Sequence, residues 1–268
     1  MATRKTTTTA RGKSAALKAP ATPAKAAKAT PVVVKTGKTT QIDTPKAAPV
    51  VVTGAVPVYT SGTGRPEYWD KACSDLVKRD RILKKLIPQF GPAHLLGRGD
   101  PFVTLARSIV GQQISVKAAQ SVWDRVEATC PRLTPAQFLK AGHEALAACG
   151  LSKRKAEYIH DLAGHFKSGA LHVSSWSEMD DESVIAELTQ IRGIGRWTAE
   201  MFLMFNLLRP DVLPLDDLGL QKAICLHYFD GNRVSREQIR VLGANWAPWR
   251  SVATWYLWRS LDPVPVEY

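Results

Sequence analysis

The chain has 268 residues, a formal net charge of +12, and 45% hydrophobic against 22% charged side chains. That balance belongs to a globular protein with a real core, and no run approaches the ~20 apolar residues of a membrane helix. Cys73, Cys130, Cys149 and Cys225 form no C-x-x-C pair and match no zinc or iron–sulfur spacing, so free buried thiols in a reducing compartment are expected.

Residues 1–60 carry ten basic side chains and one acid, Asp43, whereas the remaining 208 residues hold 26 basic and 23 acidic ones. The net charge is therefore mostly a property of this Ala-, Lys-, Thr- and Pro-rich stretch, which has too few large apolar groups to offset the entropy of ordering. It is expected to be a disordered tail, either a DNA-binding arm that acts by counterion release or a solvated solubility segment. It lacks the apolar core of a secretory signal, and its lysines and prolines suit a transit peptide poorly.

From about Arg65 onward, apolar residues recur at spacings of three and four, the mark of amphipathic helices. Residues 67–87 read as one or two helices ending before Pro88. Asp100-Pro101, Ser115, Thr134-Pro135 and Ser152 each open a helix, and Gly169 closes the one begun at Ser152. Further helical patterns follow from about residues 180, 196, 217, 235 and 248. No run alternates as a strand does, so residues 61–268 are expected to form one all-α domain of about ten helices with short loops.

Two apolar helical patterns meet at Arg192-Gly193-Ile194-Gly195 within "LTQIRGIGRWTAEMFLMF". The glycines permit close backbone approach, and Ile194 can plug the gap between the helices. The second helix would start with unpaired amides and Arg196 beside them, a place for a DNA phosphate. A tight helix–helix turn without a ligand would use the same glycines. Twenty-two residues beyond Gly195 lies Asp217, paired with Asp216 at the start of another helix. An acid at such a position is often only an N-cap.

These elements, with "DPFVTLARSIVGQQISVKAA", "LPLDDLGLQKA" and "WAPWRSVATWYLW" in order, resemble the alkylpurine (3-methyladenine type) DNA glycosylases of the helix-hairpin-helix superfamily. The resemblance covers about Asp100 to Trp258. It implies that fold, with two helical subdomains flanking an active-site cleft, and a monofunctional enzyme that flips alkylated purines out of duplex DNA and hydrolyses the glycosidic bond. It makes Asp217 the catalytic carboxylate and Asp216 the flanking or capping acid. Trp258, Trp197 and Met201 match pocket positions, Met201 standing where the family can carry a tyrosine. Gln113 matches the residue that fills the gap left by the flipped base, although a plain polar turn capped by Ser115 would read the same way. Gly193, Ile194, Gly195, Arg196 and Thr198 match the DNA-binding hairpin. The carbonyls of Thr189, Ile191 and Ile194 match a site for a monovalent cation.

Lyase members carry a lysine two residues past the second glycine. Trp197 occupies that position, so a Schiff-base mechanism is not expected. No cofactor or catalytic metal is implied, and the six histidines show no ligand spacing. Trp246, Trp249 and Trp255 are assigned to the core, and Arg250 to a structural anchor. The implied partner is damaged double-stranded DNA, bound by a monomer away from membranes, in the nucleoid of a bacterium or the nucleus of a eukaryote. A helix-hairpin-helix module that binds without catalysis, and a glycosylase for other damaged or mismatched bases, remain as alternatives.

Overall fold

A computed structural model of the chain describes residues 64–261. The tail expected over residues 1–60 lies outside them. Among the described residues there are eleven α-helices, two short 3-10 turns and no strand. The helices are α1 (Trp69–Arg79), α2 (Leu83–Leu86), α3 (Pro101–Gly111), α4 (Val116–Thr129), α5 (Pro135–Ala148) and α6 (Lys153–Ser168). They continue with α7 (Asp181–Leu188), α8 (Arg196–Phe205), α9 (Leu218–Tyr228), α10 (Arg236–Ala244) and α11 (Arg250–Leu261).

The expected helix starts are largely realised by side-chain caps. Asp100 accepts the Val103 amide at 2.9 Å, and Ser115 and Ser152 accept the amides of Ala118 and Lys155 at 3.3 Å. Ser235 and Gln238 form a reciprocal capping box at α10. Gly169 ends α6 in the left-handed conformation that lacks a Cβ penalty. Two details differ from expectation. The segment containing Pro88 continues as a 3-10 turn, Ile87–Phe90, because a proline in the first turn loses no hydrogen bond there. Helix α5 is broken at Gly142, whose φ of +72° no helix residue adopts.

Two groups of helices pack separately. Helices α3 to α6 lie on one another, α5 chiefly against α6, with α7 and α8 paired beside them and α8 touching α3. Helices α1 and α2 cross the chain order to join α9 and α11. In α11, Ser251, Val252, Ala253, Thr254, Tyr256 and Leu257 are all buried, so this helix is covered on most sides. The core is one continuous cluster that includes Trp69, Trp123, Trp176 and Trp246. Trp249 is buried as assigned, while Trp255 is only half-buried, edge-on to Trp69. Cys130 and Cys149 are buried, but Cys73 and Cys225 are half-buried; all four are free thiols.

Buried polar groups tie the second group together. The Asp80 carboxylate accepts the amides of Ile82 and Leu83, the Tyr228 hydroxyl and the Trp246 indole N–H, joining the α1–α2 turn to α9 and the end of α10. Arg250 makes a two-pronged contact with Asp211 at 2.7 and 2.8 Å, the anchoring role assigned to it. Next to it, Ser251 donates to the Arg209 carbonyl and accepts the Val212 amide. The loop between α8 and α9 is thereby fastened to the start of α11. That loop delivers the acidic pair.

Candidate active site

The two adjacent acids part company at the start of α9. Asp216 is exposed and ion-paired with Arg236. Asp217 is 8% exposed and is itself the N-cap. This corrects the assignment of capping to Asp216: one carboxylate both caps the helix and occupies the candidate site. Its Oδ1 accepts the Leu220 amide at 2.6 Å and the Trp258 indole N–H at 2.7 Å, and its Oδ2 accepts the Trp197 indole N–H at 2.9 Å. All three partners are N–H donors, which uses the group as an acceptor on both oxygens. One side chain thus links α8, α9 and α11.

The surroundings are aromatic. Trp258 stacks on Phe205 with rings 6.0 Å apart and 8° from parallel, and the Arg98 guanidinium lies 4.8 Å from the far ring. Arg98 also donates its amide to the Phe205 carbonyl at 2.8 Å, fastening the loop before α3 to the end of α8. Trp197 is 41% exposed, so its indole lines the site from the solvent side. Met201, half-buried, lies one turn along the same helix face. Phe205 was missed in the sequence, although Trp197, Met201 and Phe205 recur at a spacing of four. Gly219 was missed as well. A Cβ there would lie 3.1 Å from both Asp217 Oδ1 and Trp258 Cδ1, so the missing side chain makes room for the carboxylate–indole contact.

The hairpin between α7 and α8 has the expected plug, with Ile191 and Ile194 buried. Gly193, at φ +88°, lies against the Tyr158 ring, where any side chain would collide. Gly195 is the N-cap of α8 and has open space around it; no side chain caps this helix. Arg196, expected as a cation beside the hairpin, has a half-exposed side chain. It is paired with Glu182 and, at 3.0 Å, with Glu200. Burial pushes the Glu200 carboxyl above the ordinary range, and the bond from Arg196 holds Glu182 below it. Thr198, on the same first turn, is 8% exposed. The carbonyls of Thr189, Ile191 and Ile194 fall in the turn, where that of Ile191 accepts the Ile194 amide at 3.1 Å.

Gln113 is exposed at the α3–α4 turn with φ +58°, and Ile114 and Val116 beside it are exposed too. Its neighbour Gln112 donates its side-chain amide to the Gly193 carbonyl at 2.9 Å, joining this turn to the hairpin. Among the described residues no cluster of His, Cys, Asp and Glu is arranged to hold a metal ion, and no helix is long and apolar enough to cross a membrane.

Residues 106–248 match the family model described as HhH-GPD superfamily base excision DNA repair protein. DNA-3-methyladenine glycosylase 1 of Schizosaccharomyces pombe is 32% identical over 191 residues, which span 70% of this chain and 84% of that protein. A solved DNA-3-methyladenine glycosidase from Bacillus halodurans is 38% identical with a TM-score of 0.66, over 74% of this chain and 92% of that one. An S. pombe 3-methyladenine DNA glycosylase, solved in complex with abasic DNA, is 31% identical with a TM-score of 0.63, over 71% of this chain and 96% of that one. By the extent of these matches, the chain belongs to the HhH-GPD superfamily of base excision DNA repair proteins.

Proposed function

We propose that this protein is a monofunctional DNA glycosylase that extrudes alkylated purines of the 3-methyladenine type from duplex DNA and hydrolyses their glycosidic bond, leaving an abasic site. The observation that carries the reading is the buried Asp217 carboxylate, held on three N–H donors between two tryptophans. Beyond capping α9, an acid facing DNA phosphates offers nothing to a protein that only binds DNA.

The chemistry follows from the residues. Breaking the bond from C1′ to the base nitrogen builds positive charge on the sugar. A carboxylate fixed in advance stabilises that charge without reorganising, and can take a proton from the attacking water. Oδ2 is the oxygen for this task, because Oδ1 already carries two hydrogen bonds. An N-alkylated purine leaves with its positive charge neutralised, so no general acid is needed. The indole faces of Trp197 and Trp258 suit a flat cationic base. The uncapped start of α8 seats a backbone phosphate on free amides, and Gln113 fills the vacated stack. The turn carbonyls of Thr189, Ile191 and Ile194 would hold a monovalent cation beside that phosphate. The protein works as a monomer in this reading.

Asp217→Asn tests the mechanism. It is expected to bind methylated duplex DNA but to release 3-methyladenine more slowly by roughly 10²–10³; normal release would remove Asp217 from the chemistry. Residues 1–60 would act as a non-specific arm. Deleting them should flatten the salt dependence of binding to undamaged duplex, and an unchanged slope would leave the tail without that role.

A further inference from the structure

The two turns that would meet DNA, the α3–α4 turn with Gln113 and the α7–α8 hairpin, are both seated on α6. Three residues of that helix, spaced three apart, do the seating. Lys155 donates from Nζ to the carbonyls of Val110 at 2.8 Å and Gln112 at 2.6 Å. Tyr158 carries the Gly193 backbone on its ring. Asp161 accepts the Arg192 amide at 3.0 Å and faces the Arg192 side chain at 3.2 Å. The bond from Gln112 to the Gly193 carbonyl closes the triangle.

Lys155 is unusual among these. It is half-buried, and among the described residues no carboxylate pairs with it. Its charge goes instead to the last carbonyls of α3, the negative end of that helix dipole. Burial draws its ammonium below the ordinary lysine range, a cost that a lysine serving only solubility would not bear. The carbonyl it grips on Gln112 belongs to the peptide leading into Gln113, the residue in the left-handed conformation. Fixing that peptide plane fixes the direction in which Gln113 leaves the turn.

We infer that Lys155 is a positioning residue that sets the α3–α4 turn in register with the hairpin, so that insertion of Gln113 and the grip on the phosphate occur at one fixed separation. The inference rests on the reading that both turns contact DNA. Lys155 touches neither base nor phosphate in this role. Its loss should therefore slow extrusion of the nucleotide rather than weaken general binding.

The test is Lys155→Met, which keeps the length and apolar stem and removes the donors. Release of 3-methyladenine from a methylated duplex under single-turnover conditions should slow on the order of tenfold or more, since small misplacements of positioning groups are costly. The fluorescence of a 2-aminopurine next to the lesion should rise more slowly, while affinity for undamaged duplex stays near that of the parent. The penalty should shrink when the lesion faces an abasic site, where extrusion is already cheap. Lys155→Arg, whose guanidinium can reach two carbonyls, should recover much of the rate.

A folded K155M that excises at the parental rate overturns the inference. So does an equal loss on paired and unpaired lesions, which would mean general damage to the fold. If K155M fails to fold, Gln112→Leu carries the test, with a smaller loss of the same kind expected and a parental rate fatal. Gln113→Ala separates the inference from the reading beneath it. Normal extrusion by Q113A defeats the reading, whereas a slow Q113A beside a normal K155M defeats only the role of Lys155.

Discussion

Two helix starts face the candidate site, and they are built in opposite ways. Helix α9 begins on Asp217, whose carboxylate fills the positive end of the helix and accepts the Leu220 amide. Helix α8 begins on Gly195, with no side-chain cap and open space where a side chain would be. The same electrostatics act at both, since the first amides of any helix attract an anion. At α9 the protein supplies the anion itself, the carboxylate proposed for the chemistry. At α8 it leaves the position open, and the nearby Arg196 is turned back onto Glu182 and Glu200. On the proposed function, the contrast teaches that the charge meant for the sugar is fixed within the fold, whereas the place offered to a phosphate consists of backbone alone.

The largest test of this contrast is Asp217→Asn, which keeps a cap of the same size but loses the charge. Excision should fall by roughly 10²–10³, while stability drops by only about 1 kcal/mol, since asparagine is an equally good N-cap but its Nδ2 cannot accept the Trp197 indole N–H. If stability collapses instead, Asp217 is a structural cap first and the two helix starts differ only in which residue fills them.

The next effect is expected at Gly219. An added methyl would press on both Asp217 and Trp258, so Gly219→Ala should slow excision about tenfold while leaving affinity for undamaged duplex unchanged. An unaltered excision rate would show that the carboxylate–indole contact tolerates being moved.

The smallest and sharpest test is Gly195→Asp, which makes the start of α8 resemble that of α9. The φ of −96° and the open space admit the side chain without strain. Thermal unfolding should show a gain of only a few tenths of a kcal/mol, because glycine is already a fair N-cap. Affinity for duplex DNA should drop roughly tenfold, since the new carboxylate repels the phosphate it displaces. Undiminished affinity would place the phosphate somewhere other than the start of α8.

Much of the helical order was legible because the signals are local. Asp100, Ser115, Ser152 and Gly169 act through their own backbone or amides three residues away, and each did as its position indicated. The break at Gly142 carries no such signal, because a glycine inside an apolar helical pattern reads the same whether or not the helix continues. The aromatic ladder of Trp197, Met201 and Phe205 could have been found at its spacing of four, but Phe205 became part of the site only through its stack on Trp258, fifty-odd residues away.

The sequence by itself determined that the described residues are all-helical, that the hairpin is Gly193-Ile194-Gly195, and that the proposed carboxylate is one of two adjacent acids. Choosing between those acids from local chemistry was beyond it, because Asp216 and Asp217 stand at the same helix start and both suit a cap. Only the tertiary structure separates them, by bringing the indole N–H of Trp197 from α8 and that of Trp258 from α11 onto Asp217 while leaving Asp216 at the surface with Arg236. It also shows that Arg196 pairs with Glu182 and Glu200 and that Lys155 grips the α3–α4 turn. Such pairings depend on distances across helices far apart in the chain, and no spacing pattern along one strand of sequence encodes them.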